Sequence, residues 1–202
     1  RISDKVRHNL ELLHVLAQKL TDRRLKSGGV EFSFPETQTT YRDDGWLSDI
    51  KHIDRPVATL IIEECMLAAN VCAAQCLQKS LPVAIYRIHG APDSDRIFEL
   101  RQVLSLFGVN MNGSSDPSAR DLSECLAEIR QASCPFETLQ TLVLRCMKQA
   151  SYSSNCAPHF ALGFERYTHF TSPIRRYSDL IVHRLLKWIL KLDAGEDPGL
   201  LQ

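Results

Sequence analysis

The chain has 202 residues, of which 44% are apolar and 24% charged, with 24 basic side chains balanced by 24 acidic ones. That is enough chain for one sizeable domain with its own core, and the composition excludes a disordered segment. A formal net charge of zero excludes a global basic field, so any hold on nucleic acid has to be local, in a lined channel.

In chain order, Ser3 can cap a helix whose apolar positions Val6, Leu10, Leu13, Leu16, Ala17 and Leu20 keep helical spacing to about Leu25, and Gly28 and Gly29 end it. The runs VEFSF and, past Pro35, TQTTYRDDGW and LSDIKHI alternate as strands do, with Asp44 and Gly45 as a hairpin turn. Phe32 and Phe34 share one face of their strand, where such rings are usually core. Arg55 to Lys79 is the longest helical segment, apolar on nearly two faces and therefore expected to lie deep. Glu63 and Asn70 stand seven residues apart on one side of it, and buried polar groups need partners; a Glu63 or Glu64 at the helix surface is the plainer alternative.

Pro82 to Arg87 reads as a short buried strand, followed by a turn and three scaffold helices over Ser94–Phe107, Ser118–Gln131 and Phe136–Gln149. ASYSSN and HFALGF read as strands leading into the next segment, and the residues from Asp193 to the end read as a loop or linker. The seven cysteines are odd in number and form no CxxC pair. They read as reduced core residues of a cytosolic protein rather than a zinc site. No signal peptide and no apolar run of spanning length stands out, and Arg1 opens directly onto helical sequence, so a piece of a longer protein is expected.

The segment YTHFTSPIRRYSDLIVHR, Tyr167 to Arg184, carries the chemistry. Ser172 is a good N-cap and Pro173 a favoured first residue, so a helix is expected from there through Trp188. Arg175 then falls in the first turn, where the helix dipole opposes a cation, and that choice suggests an external anion. Free N–H groups, the hydroxyls of Thr171 and Ser172 and the guanidinium groups of Arg175 and Arg176 would converge on a phosphate, with Tyr167, His169, Phe170 and Tyr177 as rings for bases. The alternative is a capped amphipathic helix with a core stripe of Ile174, Tyr177, Ile181 and Trp188, its arginines paired to Asp179 or forming a solvated ladder of Arg175, Asp179 and His183.

HFTSPIRRYSDLIVHR resembles the signature of the ribonuclease II / ribonuclease R family of exoribonucleases, and IIEECMLAAN at Ile61 to Asn70 resembles a second family run in the right order. The resemblance implies the C-terminal portion of an RNB catalytic domain over residues 1–192, an α+β fold of mixed helices packed on short, mostly antiparallel strands. It implies processive 3′-to-5′ hydrolysis of single-stranded RNA to nucleoside 5′-monophosphates by a monomeric, cytoplasmic enzyme without a membrane partner. By position, Arg175 would stabilise the scissile phosphate and Glu63 would hold the RNA 3′ end, both as catalytic residues. Phe32, Tyr167, Thr171, Ser172, Arg176 and Asn70 would contact RNA, with Phe32 stacking on a base near the 3′ end. Asp179 and His183 take supporting roles.

The family holds Mg²⁺ on aspartates upstream of these runs, and that cluster is missing from this chain. Asp116 to Leu122 resembles it superficially, but Ser123 and Glu124 follow where paired aspartates belong, so Asp121 reads as a helix start and no metal ligand is assigned. The isolated chain is therefore expected to be inactive. An inactive RNA-binding module derived from the nuclease, or an unrelated helical interaction domain, remain the other readings.

Overall fold

In a computed structural model, residues 3–34, 36–53, 56–111 and 113–191 are described. Pro35, Arg55 and the tail from Asp193, all named above, lie outside them. The elements run α1 (Asp4–Lys26), β1 (Glu36–Tyr41), β2 (Leu47–Ile53), α2 (Val57–Ser80), β3 (Tyr86–Ile88), α3 (Ser94–Leu106), α4 (Ala119–Gln131), α5 (Phe136–Cys146), β4 (Ser151–Ser153), a 3₁₀ turn (Phe160–Leu162) and α6 (Tyr177–Ile189). Helices dominate, and both described sheets are two-stranded and antiparallel: β1 with β2, and β3 with β4.

Two apolar cores organise these elements. The first gathers Ile97, Leu100 and Leu104 of α3, Leu122, Cys125, Leu126 and Ile129 of α4, and Leu139 and Val143 of α5. The strict 3.6-residue spacing of α4 and its capping box make it the most readable element: Ser118 Oγ accepts from the Asp121 N–H while Asp121 accepts from the Ser118 N–H. Asp121 is thus used as a cap, which is the role its sequence position implied. The second core joins Ala73, Ala74 and Leu77 of α2 to Ile181, Val182 and Leu185 of α6, with Ala84 and Tyr86 between.

Several expectations are corrected. Residues 31–34 pair with no strand; the Gln140 side chain from α5 takes a partner strand's place, accepting from the Ser33 N–H at 3.1 Å and donating to the Ser33 carbonyl at 2.8 Å. HFALGF is not a strand, because His159 caps a tight 3₁₀ turn that closes at Gly163 with φ +68°. The apolar stripe of α1 is largely uncovered: Val6, Leu10, Leu13 and Leu16 are exposed and only Ala17 is fully buried among the spaced apolar positions. Of the cysteines, Cys125 and Cys146 are buried, Cys72 is exposed, and all seven are free.

Over its most apolar window α2 has a mean hydropathy of 1.6 and, with 24 residues, is long and apolar enough to cross a membrane, contrary to the reading that no such run exists. Its polar residues argue for a protein surrounding instead. Glu64 is buried against Arg24 of α1, whose Nη2 donates to Oε1 at 2.8 Å and Nε at 3.1 Å. Asn70, also buried, is fully engaged with the segment before α6. A helix facing lipid would leave such groups without partners.

Candidate nucleic-acid interface

The segment from Tyr167 to Thr171 belongs to no helix or strand, and together with the turn that follows it is held in place by side chains of two helices. Asn70 Oδ1 accepts from the N–H groups of Phe170 at 2.9 Å and Thr171 at 3.2 Å, while its Nδ2 donates to the Tyr167 hydroxyl at 3.0 Å. From α6, Asp179 Oδ1 accepts from the Ser172 N–H at 2.8 Å, and His183 Nε2 donates to the Phe170 carbonyl at 2.9 Å with its ring stacked on Phe170. The hydroxyl of Thr168 donates to the Ile85 carbonyl at 2.6 Å. The Ser172 N–H, which the sequence leaves open for an anion at the expected helix start, is thus spent on Asp179.

The helix itself begins at Tyr177, and the expected start at Ser172 and Pro173 is corrected. Ser172 to Arg176 forms a turn closed by Arg175 and Arg176 N–H groups on the Ser172 carbonyl, after which Arg176 adopts extended angles, φ −130° and ψ 117°. The dipole explains the choice of register. Starting at Tyr177 places Asp179 in the first turn, where a carboxylate is favoured, instead of Arg175, where a cation is opposed. Asp179 is fully buried, and Arg176 clamps it with Nε on Oδ2 and Nη2 on Oδ1, both at 2.8 Å. Burial alone would raise the Asp179 pKa, but the Arg176 and Ser172 hydrogen bonds outweigh it and hold the carboxyl below its ordinary value.

The core stripe anticipated for this helix also shifts. Ile174 is completely exposed and Tyr177 largely so, whereas Ile181 is buried together with Val182 and Leu185. Arg175 stands on the exposed turn, and its guanidinium makes no hydrogen bond or ion pair with the described residues. Asp179 therefore belongs to Arg176, and a ladder of Arg175, Asp179 and His183 does not form.

A cavity of about 580 Å³ lies between α2 and this segment, lined by Glu63, Asn70, Tyr167 and Arg176 with apolar walls from Ile62, Met66 and Leu67. The structure thus brings together four of the residues singled out in the sequence. Glu63 is half-buried and turns to this cavity, while its neighbour Glu64 points away into the Arg24 pair. Tyr167 is 5% exposed, its ring stacked on Phe164 and edge-on to His159 and His169, so only part of it reaches the cavity. Thr171 Oγ1 is shielded from solvent with no partner among the described residues. Phe32 is half-buried, stacked on Phe34 at 6.1 Å, and packed against the first core, away from this group.

A histidine and tyrosine network behind the segment has no local sequence signature. The Tyr152 hydroxyl is hydrogen-bonded to Ser178 Oγ at 2.9 Å and to His169 Nδ1 at 2.7 Å. Burial, and then the nearby Arg176, lowers the His169 pKa to about 4; burial, and then His89, lowers that of His159 to about 4. Among the described residues no three metal-ligating side chains converge. The Mg²⁺ implied by the family resemblance therefore fits no group of side chains among the described residues.

The RNB domain family matches residues 2–192. The chain belongs to that family. Ribonuclease R of Vibrio cholerae is 36% identical over 189 residues, covering 94% of this chain and 23% of the relative. Ribonuclease R of Escherichia coli is 38% identical over 190 residues, with 94% and 23% covered. This RNB chain thus spans about a quarter of the length of the curated relatives it matches. Among solved structures, Mycoplasma genitalium RNase R in complex with ribose methylated single-stranded RNA superposes with a TM-score of 0.88 at 28% identity, covering 98% of this chain and 31% of that one. The yeast pseudonuclease Ssd1 shares the fold at a TM-score of 0.66 and 23% identity, covering 93% of this chain and 24% of that one. The mixed α+β architecture, with its helices and short antiparallel strands, is that of the RNB domain.

Proposed function

We propose that this RNB chain is part of a 3′-to-5′ exoribonuclease acting processively on single-stranded RNA and releasing nucleoside 5′-monophosphates, and that it supplies the 3′-end pocket and a phosphate-binding arginine. The observation that carries this reading is the division of labour between adjacent arginines. Arg176 is committed to buried Asp179, which fixes the turn, and the exposed Arg175 on that turn has a guanidinium with no hydrogen-bond or ion-pair partner among the described residues. A cation held beside a rigid anchor is preorganised for charge that grows on a phosphoryl group, and needs no reorganisation when it does.

Glu63 at the cavity accepts hydroxyl hydrogen bonds from a terminal ribose, the group that separates RNA from DNA. Asn70 acts through the backbone it holds, so its contribution is to position the Tyr167–Thr171 segment. A metal that activates water would be bound by carboxylates outside this chain; the chemistry derived from these residues is binding, orientation and charge stabilisation. Incubating the full-length protein with 5′-labelled single-stranded RNA tests the reading. Stepwise shortening from the 3′ end with release of nucleoside 5′-monophosphates is expected. Binding without shortening would favour an inactive RNA-binding module, and neither would leave an interaction domain.

A further inference from the structure

A second cavity, of about 750 Å³, shares Arg176 with the Glu63 cavity, so that this one side chain lines both. Its floor is apolar, made by Ala84 and Ile85 leading into β3 and by Ile181 and Leu185 of α6. Its rim is not. Tyr152 and Tyr177 stand there 46% and 70% exposed, and the Ser153, Ser154 and Ser178 side chains offer hydroxyls beside Arg176. Arg87 lies over the Tyr152 ring, 4.8 Å from its centroid, without lining the cavity, and so adds positive charge behind the ring. The Tyr152 ring is also fixed in orientation, by the hydrogen bonds it shares with Ser178 and His169.

An apolar slot of this size with a held tyrosine at its edge fits a flat heterocycle, and the serine hydroxyls, with the Arg176 Nη1 left over from the bidentate bond to Asp179, fit a phosphate and a ribose. No acidic side chain lines it. We propose that this cavity is a nucleotide site that takes a nucleoside 5′-monophosphate, next to the 3′-end pocket with which it shares Arg176. The identity of the ligand as the reaction's product rests on the exoribonuclease reading; the existence of the site rests on its own lining. A product held there would slow the enzyme without competing with the RNA 3′ end for Glu63.

The test is calorimetric titration of the full-length protein with adenosine 5′-monophosphate, in wild type and in two variants that fill one cavity each. Val83 lines the second cavity and is 49% exposed, and Ile62 lines the first and is 61% exposed, so tryptophan at either position alters a surface wall rather than the core. Val83→Trp is expected to weaken nucleotide binding by at least about tenfold, the worth of one base stacked on an aromatic ring. RNA affinity in Val83→Trp should stay at the wild-type value, and Ile62→Trp should keep a nucleotide-binding event that Val83→Trp removes. Tyr152→Leu, which removes the ring without adding bulk, should show the same nucleotide loss if Val83→Trp does not fold. Nucleotide binding that survives both changes, that is lost in Ile62→Trp instead, or that is undetectable in wild type overturns the proposal. Whether the protein degrades RNA is read separately, so failure of that reading does not imitate failure of the site.

Discussion

The core between α3, α4 and α5 and the core beneath α6 solve different problems. The first is aliphatic, and its buried polar side chain, Gln140, serves as a stand-in strand for Ser33. The second is bordered by buried Asn70, Thr168 and Asp179, with His89 and His159 nearby, and each of these holds backbone or another side chain in one position. Apolar packing is non-directional and tolerates rearrangement, whereas a buried polar group unpaired by a shift incurs its full desolvation cost. The scaffold is built for stability, and the site is built for placement to within a hydrogen-bond length.

Removing one buried group from each core separates these roles. Leu139→Ala and Asp179→Ala should each cost about 3 kcal/mol in urea unfolding, the first by leaving a cavity and the second by stranding Arg176 and the Ser172 N–H. Only Asp179→Ala should also weaken binding of an RNA 3′ end at temperatures where both variants are folded. Equal loss of RNA binding in the two would erase the distinction.

The adjacent arginines sharpen it further. Arg175→Ala in the full-length protein should lower the single-turnover cleavage rate by roughly 10²-fold while leaving the unfolding midpoint unchanged. Arg176→Ala should lower the midpoint, because Asp179 is then buried without its counter-ion. Lysine at 175 should not restore the rate, since it lacks the planar fork.

The polar core should also be sensitive to acid where the aliphatic one is not. The folded-state pKa values of His159 and His169 lie near 4, below the ordinary 6.5, so between those limits the unfolded chain binds protons that the folded chain does not. Stability is therefore full above about pH 6.5 and declines as pH falls toward about 4, with an uptake approaching one proton per histidine. A lower urea midpoint at about pH 4.5 than at about pH 7.5, with a smaller drop in His169→Gln, is the expected result. The smallest effect is on specificity: Glu63→Ala should reduce the preference for an RNA over a DNA 3′ end by about fivefold, the worth of one hydrogen bond, and equal loss for both ends would remove Glu63 from that role.

How far the sequence reveals these features follows from how local their causes are. The helices α3 and α4, the start of α5, the Ser118 cap and the Asp44–Gly45 turn depend on neighbours within a few residues and fall where spacing puts them, whereas α5 ends at Cys146, three residues short of the expected Gln149. The grouping of Glu63, Asn70 and Tyr167 was legible through two motif-like runs. The start of α6 was misplaced because Ser172 looks like a cap until Asp179 is known to reach back across the turn. The Arg24–Glu64 pair and the Tyr152–His169 bond join residues far apart in sequence, and no window contains both partners. An acidic residue three positions into α6 was the available signal for its true register.

Gly163 and Gly29 meet backbone to backbone, so close that a Cβ on Gly163 would lie 2.6 Å from the Gly29 nitrogen. Alongside them the Val30 N–H donates to the Ala161 carbonyl at 2.8 Å. The contact closes a loop that contains the whole of the first core, and long loops are slow to close. Because the contacts within α3–α5 are closer in sequence, that scaffold is expected to form before the closure between Gly29 and Gly163. Alanine at 163 would have to push the Gly29 backbone aside, so Gly163→Ala is expected to open this closure rather than the α3–α5 scaffold.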